Sequence, residues 1–239
     1  MVDGPERDPR QVRGMFDGIA RRYDLLNRVL SLSLDRRWRR SAAQELLAAP
    51  PGRVLDLCGG TGDLSLAILR TTGAELVVCC DFALAMLDRA GPKLAGTRLR
   101  PRSARVQGDG LRLPFRDGAF DAVTVGFGVR NLADLDAGLR EMARVLAPAG
   151  RLVVLEFSEP DRGFGGTLYR FYLDRVLPRI GDTLSGRAGP YRYLARTIAA
   201  FPGPAILAGR IRDAGFAACG WRRMTGGIVA VHTAIKGRA

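Results

Sequence analysis

Lysine is almost missing from this chain: Lys93 and Lys236 stand alone among many arginines. Histidine is rarer still, with only His232. The four cysteines, Cys58, Cys79, Cys80 and Cys219, form no C-x-x-C pair, so neither a zinc site nor a disulfide framework is expected. Reduced cysteines fit a cytoplasmic protein. No uncharged apolar run reaches about 18 residues, the length a membrane-spanning helix needs. The opening residues, MVDGPERDPRQVR, hold no apolar signal-peptide core. Two nucleotide fingerprints are absent as well. Gly60-x-Gly62 is followed by Ser65 where a dinucleotide turn needs a third glycine, and no Gly-Lys-Ser/Thr phosphate loop occurs.

What is abundant is positive charge. With 37 basic and 24 acidic residues the net charge is +13, which favours encounter with anionic surfaces. The chain has no helix-turn-helix, zinc-finger or RNP signature and no N-P-P-Y base-methylation motif. Nucleic acid is therefore not an expected partner. A solvated basic surface or a membrane surface remains.

Hydrophobic periodicity predicts an amphipathic helix from Val12 to about Leu30 and a second after Ser33, carrying Trp38. Beyond Pro50-Pro51-Gly52 short apolar strands alternate with helices. The strands are Arg53–Leu57, Glu75–Cys80, Ala104–Gln107, Phe120–Phe127 and Arg151–Phe157, a pattern that makes a parallel α/β sheet. Phe216–Met224 and Ile228–Ile235, joined by Thr225-Gly226-Gly227, read as a hairpin, so one strand must run backwards. An insertion from about Ser158 to Pro202 holds Tyr169, Tyr172, Tyr191 and Tyr193 and reads as a lid.

The chemistry gathers at the ends of successive strands. V-L-D-L-C-G-G-T-G-D, Val54 to Asp63, runs from a strand through glycines into a helix, whose first N–H groups suit a carboxylate or a phosphate. Without a phosphate fingerprint, an amino-acid-type ligand is the better reading. Asp81 ends the second strand, where a carboxylate accepts bonds from ribose hydroxyls. Asp109-Gly110 follows the third and suits an adenine edge, with Phe82 and Leu111 as walls. Arg130 and Asn131, in F-G-V-R-N after the fourth strand, point to the same rim.

These segments resemble the UbiE/MenG family of quinone-biosynthesis C-methyltransferases over nearly the whole chain. The resemblance rests on M-F-D-G-I-A-R-R-Y-D-L-L-N-R-V-L-S-L at Met15–Leu32, D-R-R-W-R at Asp35–Arg39, and F-G-V-R-N at Phe127–Asn131. It rests also on Y-R-Y-L at Tyr191–Leu194 and G-G-I-V-A-V-H at Gly226–His232. It implies a class I methyltransferase fold, Rossmann-like, with a mostly parallel seven-stranded sheet and one antiparallel strand. The implied layout is one domain: residues 1–50 a helical cover, 51–157 the cofactor core, 158–203 an inserted lid, and 204–239 a closing helix and hairpin.

The cofactor implied is S-adenosylmethionine, on Asp56, Gly60, Thr61, Gly62, Asp81, Phe82, Asp109, Gly110 and Gly126, where relatives often carry serine at the last position. The substrate implied is a prenylated quinol, demethylmenaquinol first and the ubiquinone-pathway benzoquinol second. Arg130, Asn131 and His232 are the candidate catalytic groups, although His232 reads equally as a packed strand residue. Tyr191 and Tyr193 are candidate walls of the quinol pocket. No metal is needed. A tail too apolar for water implies transient, peripheral membrane contact, and the resemblance also allows a homodimer. A small phenolic or polyketide acceptor is the alternative.

Overall fold

The structure is a computed structural model that describes residues 9–95, 102–158 and 190–238, together with residues 160, 172 and 175. Most of the insertion, including Tyr169 and the side chain of Tyr191, lies outside the described residues.

Seven strands form one sheet: β1 Arg53–Leu57, β2 Leu76–Asp81, β3 Ser103–Gln107, β4 Phe120–Gly126, β5 Leu146–Phe157, β6 Phe216–Met224 and β7 Val229–Lys236. Their spatial order is β3-β2-β1-β4-β5-β7-β6. The β1, β2, β3, β4 and β5 pairings are parallel, while β7 lies antiparallel to both β5 and β6. The single reversed strand expected from the hairpin is therefore β7. β5 starts earlier than the apolar run suggests because Leu146 already pairs with Phe120, before a register shift.

Eight helices are described: α1 Pro9–Ile19, α2 Tyr23–Leu30, α3 Leu34–Gln44, α4 Asp63–Thr71, α5 Leu84–Ala95, α6 Leu135–Val145, α7 Pro190–Ala199 and α8 Pro204–Asp213. Alternation along the strands sends side chains to opposite faces. Leu55, Val123 and Val154 pack with Leu139 and Met142 of α6 and with Leu207 and Ile211 of α8. Val54, Ala122 and Val153 pack on the other face with Trp38 of α3, Ile68 of α4 and Leu87 of α5. Burying a Leu or Val side chain contributes roughly 1.5–3 kcal/mol, so these two layers carry the fold.

The first predicted helix is two. Its apolar stripe is continuous, but the chain turns at Arg22, whose N–H bonds to the Ile19 carbonyl at 2.9 Å. Phe16 of α1 and Ala20 just after it pack against Ala83 and Met86 around the start of α5. α2 packs Leu26 against Ile198 of α7. One straight helix cannot reach both targets.

Candidate active site

The turn after β1 begins the site. Gly60 takes φ +56°, a left-handed conformation that a side chain resists, and its N–H donates to Asp81 Oδ2 at 2.8 Å. Asp81 Oδ1 accepts the Ala83 N–H at 2.8 Å. Burial raises the Asp81 carboxyl above its ordinary pKa, those backbone N–H groups pull it down, and Asp17 of α1 adds a further upward push. A carboxylate with two oxygens has about four acceptor sites, so capacity for ligand hydroxyls remains. Asp109 is held by its own turn, with Oδ1 accepting the Leu111 N–H at 2.9 Å.

These groups line a cavity of about 100 Å³, with Gly60, Asp81, Phe82, Asp109, Gly110 and Gly126 in its walls. Val12, Arg13 and Phe16 of α1 lie over it. The volume is below the roughly 300 Å³ at which ligand pockets begin, and α1 is the element that closes the cavity over.

A second cavity of about 450 Å³ adjoins the first. Its walls are mostly apolar and come from α1, α2, α3, α7 and the ends of β4 and β5. Phe16, Tyr23 and Phe127 line both cavities and so mark the passage between them. Phe127 adopts φ +62°, unusual for a bulky residue, directly after β4. Its ring lies 4.6 Å from that of Phe157. Trp38 meets both rings edge-on, with its indole N–H donating to Thr225 at 2.8 Å.

Two arginines enter this apolar space. Arg130 is 5% exposed and donates through Nη1 to Glu156 Oε1 at 2.7 Å and to the Phe127 carbonyl at 2.6 Å. Its guanidinium stacks on Phe157 at 5.3 Å, and its buried Nε has no hydrogen-bond partner among the described residues. Arg39 pairs with Asp35 at 2.5 Å and stacks on Phe127 at 5.4 Å. Tyr23 lies near both. Burial raises its phenol above the ordinary value, and the Arg39 and Arg130 charges pull it down.

One cavity with two carboxylates, Asp81 and Asp109, in its walls thus adjoins an apolar cavity walled in part by two buried arginines. A match to the ubiE/COQ5 methyltransferase family spans residues 5–236. The chain belongs to that family.

A demethylmenaquinone methyltransferase of Mycolicibacterium gilvum is 48% identical over 231 residues, covering 97% of this chain and 97% of that protein. Among solved structures, a SAM-dependent methyltransferase from Thermotoga maritima superimposes with TM-score 0.64 at 18% identity, covering 93% of this chain and 98% of its own. The cyclase SpnF superimposes at TM-score 0.70 and 19% identity, covering 99% and 98%. A methyltransferase and a cyclase on one scaffold show that the fold alone does not decide the chemistry. The sheet and its single reversed strand are those of this structural class.

Within this family member, the expected cofactor residues divide into two groups. Gly60, Asp81, Phe82, Asp109, Gly110 and Gly126 wall the smaller cavity. Asp56, Thr61 and Gly62 do not reach it. Asp56 is fully buried, accepting from Ser65 at 2.6 Å and Thr124 at 2.9 Å, and ties β1 to β4 and α4. Burial pushes its carboxyl up to about 6 against those two hydrogen bonds. Thr61 donates to Asp24, and Gly62 caps the N-terminus of α4. A Cβ at Gly126 would stand 3.0 Å from Leu64 Cδ2, so a serine there requires this leucine to move.

Arg130 walls the larger cavity, Asn131 the smaller, and the Tyr193 hydroxyl spans them, donating to Asn131 Oδ1 at 3.2 Å. His232 is not brought to the site. Its Nε2 meets the Pro204 carbonyl at 3.0 Å, its ring stacks on Trp221, and burial lowers its pKa. β7 turns this side chain towards α8, so the packed-residue reading fits its surroundings. Tyr23 was missed because it occupies a regular position on an apolar stripe. The available signal was Asn27 one turn later, whose side chain bonds the phenol.

Proposed function

We propose that the chain methylates the ring carbon of a prenylated quinol, converting demethylmenaquinol to menaquinol with S-adenosylmethionine as methyl donor. The observation that carries this reading is the apolar cavity walled in part by Arg130, which adjoins the smaller cavity holding Asp81 and Asp109 at Phe16, Tyr23 and Phe127. The 48% identical relative named for this activity supports the same acceptor.

The residues fit the cofactor: Asp81 offers acceptors to a ribose, Asp109-Gly110 edges the base, and Gly60 leaves room beside the turn. When bound, S-adenosylmethionine supplies an electrophilic methyl group on a positively charged sulfur. The protein's own task is to place and activate the acceptor. Arg130 donates from its guanidinium to the quinol oxygen beside the reacting carbon and stabilises the negative charge that grows there. Glu156 and the Phe127 carbonyl hold that guanidinium in place. Asn131 and Tyr193 brace the wall between the cavities. Apolar walls exclude water, which strengthens the contact.

The tail reaches the site from a membrane surface. Among the described residues no helix is long and apolar enough to cross a bilayer. Val29 and Leu32, 44% and 84% exposed, also line the larger cavity, which therefore opens beside them. Leu25 is exposed on the same helix, one turn before Val29, and Arg21, Arg36, Arg37 and Arg40 are exposed nearby in the chain. Apolar residues beside arginines suit the interface of an anionic bilayer.

The direct test supplies labelled methyl donor and a panel of prenylated quinols and identifies the product by mass spectrometry. Methylation of demethylmenaquinol at its open ring carbon is expected. Preference for a soluble, unprenylated phenol would overturn the reading.

A further inference from the structure

The D-R-R-W-R segment, Asp35–Arg39, enters the sequence reading only as part of a family likeness. The structure makes it a wall of the acceptor cavity, through Asp35, Trp38 and Arg39. Its arginine repeats the arrangement of Arg130 in three respects. Both guanidiniums are buried, each is paired with one carboxylate, and each stacks on one ring of the Phe127–Phe157 pair. Asp35 is further satisfied by the Ser31 hydroxyl at 3.0 Å.

Such a pair needs a reason to exist. Burying an ion pair costs desolvation that its attraction barely offsets, and apolar side chains of similar size often stabilise as well or better. Two of them in one apolar cavity point to recognition. Each carboxylate cancels its arginine's charge, so the cavity suits a neutral ligand rather than an anion. A guanidinium has five N–H donors, and a single carboxylate leaves donors to spare.

We propose that Arg39, held by Asp35, is a second polar subsite of the acceptor cavity and binds the oxygen para to the one that Arg130 engages. The proposal rests on the quinol reading and adds its specificity. A ring held at one oxygen still pivots about that contact. A ring held at both para oxygens keeps its open carbon facing the donor. Arg39 thus selects dioxygenated rings.

The test compares a short-tailed prenylated naphthalene-1,4-diol with its analogue lacking the hydroxyl remote from the reacting carbon. The wild-type protein should prefer the diol by at least ~10-fold in kcat/KM, the scale of a hydrogen bond to a charged group. In Arg39→Met that ratio should fall towards one, mainly through KM for the diol. Because Arg39→Met leaves Asp35 buried without its partner, the double variant Asp35→Asn/Arg39→Met is measured beside it and should show the same loss of preference. Retention of the wild-type ratio in both variants would overturn the subsite. Equal turnover of diol and analogue by the wild-type protein would also overturn it, while leaving methyl transfer intact. No turnover of either acceptor would overturn the quinol reading itself, and this inference with it.

Discussion

The Thr61 hydroxyl donates to Asp24 at 2.5 Å, joining the turn after β1 to the cover helix α2. Lys93 completes the junction from α5, reaching Asp24 and Asp63 at 2.6 Å and the Thr61 hydroxyl at 3.0 Å. One of the chain's two lysines thus clasps α2 onto the turn after β1 and the start of α4. The residue next to Asp24 is Tyr23, which stands between the two cavities, so the clasp also fixes that passage.

If α1 and α2 must lift to admit the cofactor, loosening the clasp should speed exchange. Lys93→Met should accelerate dissociation of S-adenosylhomocysteine and weaken its affinity roughly 2–5-fold, the scale of a part-exposed ion pair. Stopped-flow fluorescence and calorimetry read the two quantities. An unchanged dissociation rate would mean that the cover does not gate the site.

Arg130 should matter for turnover and not for cofactor binding, because it lines the acceptor cavity alone. Arg130→Met should lower kcat by about 10²–10³, the usual loss for a donor that stabilises developing charge. Affinity for S-adenosylhomocysteine should stay within twofold (a factor worth about 0.4 kcal/mol). Near-normal turnover would remove Arg130 from the chemistry.

Asp56 makes stability depend on pH in a defined direction. Its folded-state value of about 6 lies above the ordinary 3.8, so the folded chain binds the extra proton between the two. Stability from this group is therefore greatest below about pH 4, falls as pH rises to about 6, and is level above that. The full span is up to about 3 kcal/mol. Asp56→Asn, which keeps an acceptor for Ser65 or Thr124, should flatten this part of the profile in urea unfolding measured from pH 4 to 8. A variant with the wild-type slope would show that another group is responsible.

The exposed residues beside the larger cavity should govern vesicle binding. Val29→Glu/Leu32→Glu should weaken co-sedimentation with vesicles containing anionic lipid, roughly 10-fold or more given the apolar area lost. Binding of the wild-type protein should also weaken as salt rises. Turnover of a short-tailed quinol in detergent should change far less than turnover of a long-tailed one in vesicles. Equal effects on both would place the damage inside the cavity.

Alternating strands, the glycine turn at Gly60 and the acidic residues at Asp81 and Asp109 were legible before any coordinates. Their positions follow from local rules, since strand periodicity and βα connectivity bring successive strand ends to one rim whatever packs around them. The same rules placed Arg130 and Asn131 on that rim. They said nothing of Glu156, because residues 26 apart in sequence meet only when β4 and β5 pair.

Other features waited on contacts between distant segments. Thr61 sits in the right turn, yet its hydroxyl goes to Asp24, 37 residues earlier. His232 lies in a family-like segment, yet β7 runs against β5 and carries it to Pro204. Tyr23 reads as one residue of an apolar stripe and Arg39 as part of a family likeness, and neither is placed at a cavity until α1, α2 and α3 pack over the sheet rim. The amino-acid order by itself determined the strands and the turns that carry the candidate cofactor residues, because those depend on neighbours in the chain. Only the tertiary structure decided the larger cavity, because its walls come from helices that find one another by burial rather than by sequence distance.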